Sequence, residues 1–183
     1  MKKRHKIYAL ISIFIFIVSI INIFYILEAK LAMNIFFALL LLVSLIFFKK
    51  KLLLEMFIAF IISFFLVAYY PYEYTSNNLL IGKINLFPLI AWTFGLIVLR
   101  EIYKNVKWKN KIIKVSLLYL TLLFAIEYLG YYVLEIKLNS NYPSFLGIGI
   151  LHSPLFLQLF YIFIGPVYLL IVDFIEKRKN NSS

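Results

Sequence analysis

The chain has 183 residues, of which 64% are apolar, 15% are charged and none is cysteine. Soluble domains are nearer half apolar and a quarter charged, so this composition favours a membrane protein. The lack of cysteine excludes disulfides and thiolate metal sites. The net charge of +11 does not indicate nucleic-acid binding, because the positive residues cluster at the ends of long apolar runs.

Six apolar runs are long enough to cross a bilayer core of about 30 Å as helices. They lie at about 7–27, 31–48, 52–70, 84–99, 112–134 and 155–173. The first run is longer than a signal-peptide core and has no small-x-small cleavage pattern, so it counts as a span. The fourth is short because Lys83 and Asn85 lie near its start, and a Gly165–Pro166 pair is expected to kink the sixth.

The runs predict an all-α polytopic integral membrane protein, a six-transmembrane-helix bundle. One domain is expected over residues 1–179, with a polar tail at 180–183. Six spans place both termini on one side, and sixteen of the nineteen positive residues fall on that side. The other side has only Lys30, Lys83 and Lys137. The positive-inside bias therefore predicts cytoplasmic termini in a multi-pass protein of the cytoplasmic (inner) membrane.

The predicted outer turns begin alike. The segments FYILE (24–28), YYPYE (69–73) and YYVLE (131–135) share an aromatic residue, a tyrosine, two further residues and a glutamate. Three repeated helical hairpins would explain the pattern. An interfacial belt of tyrosines, followed by the first polar residue of each loop, is the simpler explanation.

Polar residues inside the spans lie mostly in the predicted outer half. Asn22 and Asn34 have similar depths on neighbouring antiparallel helices, so one interhelical hydrogen bond is expected to satisfy both. Two acidic residues on the cytoplasmic side, Glu55 and Asp173, are expected to form interfacial ion pairs, with Lys51 as the partner of Glu55 at i+4.

Glu127 is the most unusual residue of the fifth run. It lies about 22 Å along the helix from the inner end, at 1.5 Å per residue, and thus within about two turns of the outer surface. Tyr131 at i+4 and Glu135 at i+8 are expected to share its face. An ionisable residue inside a span is costly and usually faces the bundle interior or water, so Glu127 is expected to face the protein.

The fifth and sixth runs are consecutive, which predicts a shared outer site. His152 lies at the outer mouth of the sixth run and Gln158 about one turn inside it. We predict that Glu127, Tyr131, His152 and Gln158 converge as ligand-binding residues, with Glu127 and His152 as candidate catalytic groups. The alternatives are a packing role for Glu127, bonded to Tyr131 or a neighbouring helix, and a loop-capping role for His152.

The segment YPSFLGIGILHSPLFLQLFY (142–161) resembles part of the membrane carotenoid cyclases, in which a Leu-Gly turn leads to a proline at the head of a span. In those enzymes an acidic pair after the proline serves the proton chemistry. Here Phe156 and Leu157 stand in its place, which leaves Glu127 as the substitute acid. The resemblance implies a membrane enzyme acting on an isoprenoid-like lipid.

The predicted size and topology also resemble the substrate-capturing subunits of energy-coupling-factor vitamin transporters. Those subunits carry an Ala-rich motif on the first span for docking to the transport module, whereas span one here has a single alanine. This resemblance implies a non-catalytic binding, transport or assembly module.

Two functional hypotheses follow. The first is a binding, transport or assembly module with an outer-leaflet polar pocket for a small or lipidic ligand. The second is a membrane enzyme on an isoprenoid-like lipid, with Glu127 as proton donor or acceptor. Membrane lipid and a small lipidic ligand are the expected partners, and the sequence identifies no protein partner. The two histidines, His5 and His152, are far apart, so no metal or other cofactor is expected.

Overall fold

The computed structural model describes residues 2–25, 28–48, 50–70, 72–75 and 79–181. The helices are α1 (Lys2–Tyr25), α2 (Ala29–Phe48), α3 (Lys50–Tyr69), α4 (Leu86–Asn105), α5 (Lys111–Tyr128) and α6 (Leu155–Asn181). A two-stranded antiparallel hairpin, β1 (Leu80–Ile81) with β2 (Ile84–Asn85), precedes α4. The end of the first predicted span (26–27) and the end of the predicted tail (182–183) lie outside the described residues.

The helices confirm the all-α prediction. Among the described residues, five helices are long and apolar enough to cross a membrane, and α1 contributes a shorter apolar stretch, Ile7–Asn22. The β-hairpin is too short to alter the fold class. These apolar lengths indicate a membrane-embedded protein, because only helices or closed barrels satisfy the backbone polar groups in hydrocarbon.

Helix α4 is longer than the sequence predicts, since it runs from Leu86 to Asn105 rather than over 84–99. Its extra residues lie at the end of the helix, beyond position 99, whereas Asn85, which the prediction included, lies just before the helix and caps it. Its Oδ1 accepts a hydrogen bond from the backbone N–H of Phe87 at 3.1 Å, and its Nδ2 donates to the carbonyl of Tyr72 at 2.8 Å. A polar residue before an apolar run therefore marks a helix start here.

The chain forms two compact units. Unit 1 contains residues 1–72 and 78–94, and unit 2 contains residues 73–77 and 95–183, so the two halves of α4 belong to different units. A single domain over 1–179 stays a prediction.

In unit 1, α1 and α2 pack as an antiparallel hairpin. The hydroxyl groups of Tyr8 and Ser44 lie 2.9 Å apart near one end, and the rings of Phe16 and Phe36 meet nearer the other.

The predicted bond between Asn22 and Asn34 is not formed. The Nδ2 of Asn22 donates to the carbonyl of Val18 on its own helix at 2.8 Å. The side chain of Asn34 is 5% exposed, and neither its Nδ2 nor its Oδ1 has a hydrogen-bond partner. The sequence predicted how far along their helices the two residues lie, but not which way their side chains point. Ile35, the residue after Asn34, faces α1. One position rotates a side chain by about 100° around a helix.

In unit 2, α5 and α6 form a second antiparallel pair. The ring of Tyr119 lies against Gly165, where a side chain would contact it. The hydroxyl of Tyr119 donates a 2.5 Å hydrogen bond to the carbonyl of Tyr161. Pro166 lies inside α6, and the helix continues past it to Asn181. The kink there stays a prediction.

Candidate functional site

One face of α5 is packed against protein, and Glu127 lies on it. The buried residues of α5 are spaced four positions apart and are Val115, Tyr119 and Leu123. Glu127 is the next position on this ridge and is half-buried. Residues four apart lie on the same helix face, so Glu127 faces the protein side of α5 rather than the opposite, exposed face.

The end of α5 is not a regular α-helix. It continues as a π-helical turn over Leu129–Val133, in which the N–H of Leu134 donates to the carbonyl of Leu129. Glu135 follows with a left-handed φ of 52°. The prediction that Glu135 shares the face of Glu127 is therefore wrong, because the helix ends before it. Short π-helical turns are rare in proteins, and those that occur are often at functional sites.

Tyr131 and His152 come together as predicted. Their rings are stacked with centroids 3.9 Å apart and planes inclined by 16°. The ammonium group of Lys137 lies 5.2 Å from the centroid of the Tyr131 ring. Burial lowers the pKa of His152 below its usual value, so the imidazole is neutral at neutral pH and keeps one donor and one acceptor nitrogen.

Gln158 binds backbone rather than the other predicted site residues. Its Nε2 donates to the carbonyls of Pro143 at 2.8 Å and Ser153 at 2.7 Å. Both carbonyls belong to the connection between α5 and α6, so this buried amide fixes the connection to the first turn of α6.

Glu127 makes no hydrogen bond or ion pair within the part of the chain that the structure describes. Of the four predicted site residues, the structure thus joins Tyr131 to His152 directly. The side chain of Gln158 bonds to backbone carbonyls of the connection that carries His152. The role of Glu127 in binding stays a prediction.

The α5–α6 connection returns along α5 in the region of Glu127. Phe145 packs on Phe124, with ring centroids 6.1 Å apart. Further along, the hydroxyl of Tyr132 donates to the carbonyl of Gly149 at 2.9 Å. Phe124 lies one turn before Glu127, and Tyr132 lies just over one turn after it. The connection therefore passes along α5 at the level of this carboxyl group.

A cavity of about 170 Å³ lies elsewhere, between α1 and α2 of unit 1. Its walls are mostly apolar, with Ser19 and Asn22 as the polar members. None of the four predicted site residues lines it.

Sequence reasoning missed the main ionic cluster of unit 2. Arg100, only 3% exposed, contacts the carboxylates of Asp173 at 2.5 Å and Glu176 at 2.6 Å. The hydroxyl of Tyr103 donates to the other oxygen of Asp173 at 2.9 Å. The available signal was an arginine at the end of a span in a lysine-rich chain, since arginine forms forked contacts that lysine cannot. The cluster ties α4 to α6.

The prediction of an ion pair for Asp173 is confirmed, and its partner is Arg100 of α4. Glu55 was predicted to be interfacial and is almost completely buried. The side chain of Lys51, its predicted partner, lies outside the described residues.

No protein-family model, curated protein or solved structure matches the chain. A functional assignment therefore rests on the side chains and their surroundings.

Proposed function

We propose that this chain is a six-span protein of the cytoplasmic membrane, with both termini in the cytoplasm, that binds a small or lipidic ligand in its outer half. The sixteen-to-three division of positive residues supports this orientation. The protein acts as a binding module for transport or assembly, and Glu127 recognises the polar end of the ligand.

The observation that carries this proposal is the state of Glu127. A carboxyl group inside a span that lacks hydrogen-bond partners is expensive to bury. Toward the end of α5, its neighbour on the same face is Tyr131, which is stacked on His152 about one turn away. A ligand that offers a hydrogen-bond donor or a positive charge would satisfy the carboxyl oxygens, while its apolar part lies against aromatic rings.

The proposal is tested by measuring which lipids stay bound to the purified full-length protein. Glu127→Gln keeps the shape of the side chain and removes its charge. Glu73→Gln is the matched control, because Glu73 is exposed in another predicted outer loop. Native mass spectrometry and lipid extraction should find a bound lipid in the wild type and in the control. Its affinity should fall about tenfold in Glu127→Gln, the effect of losing about 1.4 kcal/mol of binding free energy, and its occupancy below saturation should fall accordingly.

Equal occupancy in all three proteins, or no bound lipid in the wild type, would contradict the proposal and leave Glu127 with a packing role. The enzyme alternative uses the same carboxyl group and gives a different result. Glu127→Gln would then retain an isoprenoid-like lipid that the wild type converts, so the lipids extracted from the two proteins would differ in chromatographic retention even though a proton-catalysed rearrangement leaves the mass unchanged.

A further inference from the structure

We propose that the α5–α6 connection re-enters the membrane, so that residues 143–150 lie in the outer leaflet with Leu146 and Ile148 against lipid acyl chains. This inference concerns the surface of the protein and does not depend on a ligand at Glu127.

The depth of the segment follows from its contacts with α5. The candidate span in this region covers Lys111–Val133. Phe124 lies about 20 Å from Lys111 and about 13 Å from Val133 along the helix, at 1.5 Å per residue. Phe145 packs on Phe124, so the connection returns beside a part of α5 that belongs to the hydrocarbon core.

Contacts with α6 agree with this depth. Gln158 is one turn inside the span that begins at Leu155, and it holds the carbonyls of Pro143 and Ser153. The start of the segment and the chain three residues beyond its end are therefore fixed at the level of the first turn of α6, and Phe145 lies between these two points.

Several backbone groups of the segment are hydrogen-bonded, which lowers the cost of placing them below the membrane surface. The N–H of Phe145 donates to the carbonyl of Ile150 at 2.8 Å, and the N–H of Ile148 donates to the carbonyl of Phe145 at 3.0 Å. Side chains supply two further bonds to carbonyls of the segment. Tyr132 donates to the carbonyl of Gly149, and Gln158 donates to the carbonyl of Pro143.

The side chains that point outward are apolar. Leu146 is 83% exposed and Ile148 is 58% exposed. Leu146 also has a left-handed φ of 49°, a conformation that favours glycine or asparagine and is strained for leucine. A surface loop in water gains nothing from a strained, exposed leucine. Contact with acyl chains gives the side chain a favourable environment and explains why it is apolar.

The chain suits site-directed spin labelling because it has no native cysteine. Nitroxides are attached to the full-length variants Leu146→Cys and Ile148→Cys in phospholipid vesicles. Collision with oxygen, which concentrates in hydrocarbon, is compared with collision with a water-soluble nickel chelate. Asn139→Cys, exposed in the same connection, is the water reference. Leu117→Cys, on the exposed face of α5, is the lipid reference.

The ratio of oxygen to nickel accessibility at positions 146 and 148 should match that of position 117. Ratios equal to that of position 139 would overturn the proposal and place the segment in water. Ile148 has a negative φ of −86°, unlike Leu146, so the test stands even if the change at 146 disturbs folding.

The hydroxyl of Tyr132 is a positioning group in this scheme. Adding Tyr132→Phe to Ile148→Cys leaves the carbonyl of Gly149 without this donor. The accessibility ratio at 148 should then move toward that of water, while the ratio at 117 stays constant. An unchanged ratio at 148 would contradict the role assigned to this hydroxyl.

Discussion

Gly165 is expected to tolerate no side chain, because the ring of Tyr119 lies directly against it. A methyl group there would come within 2.8 and 2.9 Å of ring carbons of Tyr119. The ring is not free to move, since Tyr119 is buried and its hydroxyl is bonded to the carbonyl of Tyr161. Gly165→Ala should therefore separate α5 from α6 locally and lower the free energy of unfolding.

The size of the effect follows from three terms. Overpacking costs about 1–3 kcal/mol, and loss of the Tyr119–Tyr161 hydrogen bond costs about 1 kcal/mol. Alanine gains about 0.5–1 kcal/mol over glycine within a helix. The net destabilisation is about 1–3 kcal/mol. Equilibrium unfolding in mixed micelles, followed by circular dichroism, measures it.

Gly95→Ala is the matched control, because no atom lies within 4 Å of a methyl group at this position of α4. It should leave stability unchanged or raise it slightly. Tyr119→Phe frees the ring from its hydrogen bond, so the combination of Tyr119→Phe and Gly165→Ala should cost less than the sum of the single changes. Equal stabilities of Gly165→Ala and Gly95→Ala would refute the packing argument.

Stability is also expected to depend on three other polar groups, measured by the same unfolding assay. Asp173→Asn or Glu176→Gln alone should cost about 1 kcal/mol, but both together about 3–5 kcal/mol, because the buried guanidinium of Arg100 loses both carboxylates; strict additivity would contradict this. Burial lowers the pKa of His152, so below pH ~6.5 the unfolded chain binds more protons and stability should fall as the pH drops. His152→Gln should flatten that slope, and an unaltered slope would count against it. Asn34→Leu removes an unsatisfied buried amide and should be neutral or stabilising by up to about 1 kcal/mol; a clear loss would show that the amide has a partner.

The candidate site shows how far local reasoning extends. The meeting of Tyr131 and His152 was predicted, because the facing ends of consecutive antiparallel helices are close in space. The partners of Gln158 were not predicted, because they are backbone carbonyls of Pro143 and Ser153. Their position depends on the path of a long connection, and no side-chain pattern encodes that path.

The sequence by itself determined the helical, membrane-embedded character of the chain. In hydrocarbon each backbone polar group must bond within its own segment, so the length of an apolar run decides whether a helix forms. Position along a helix is likewise a count of residues, which is why the location of Glu127 near the end of α5 could be predicted. Rotation and long-range register were decided only by tertiary packing. Asn34 does not bond to Asn22, and Arg100 meets Asp173 across seventy-three positions, because the fit between neighbouring helices, and not the local pattern, selects which faces meet.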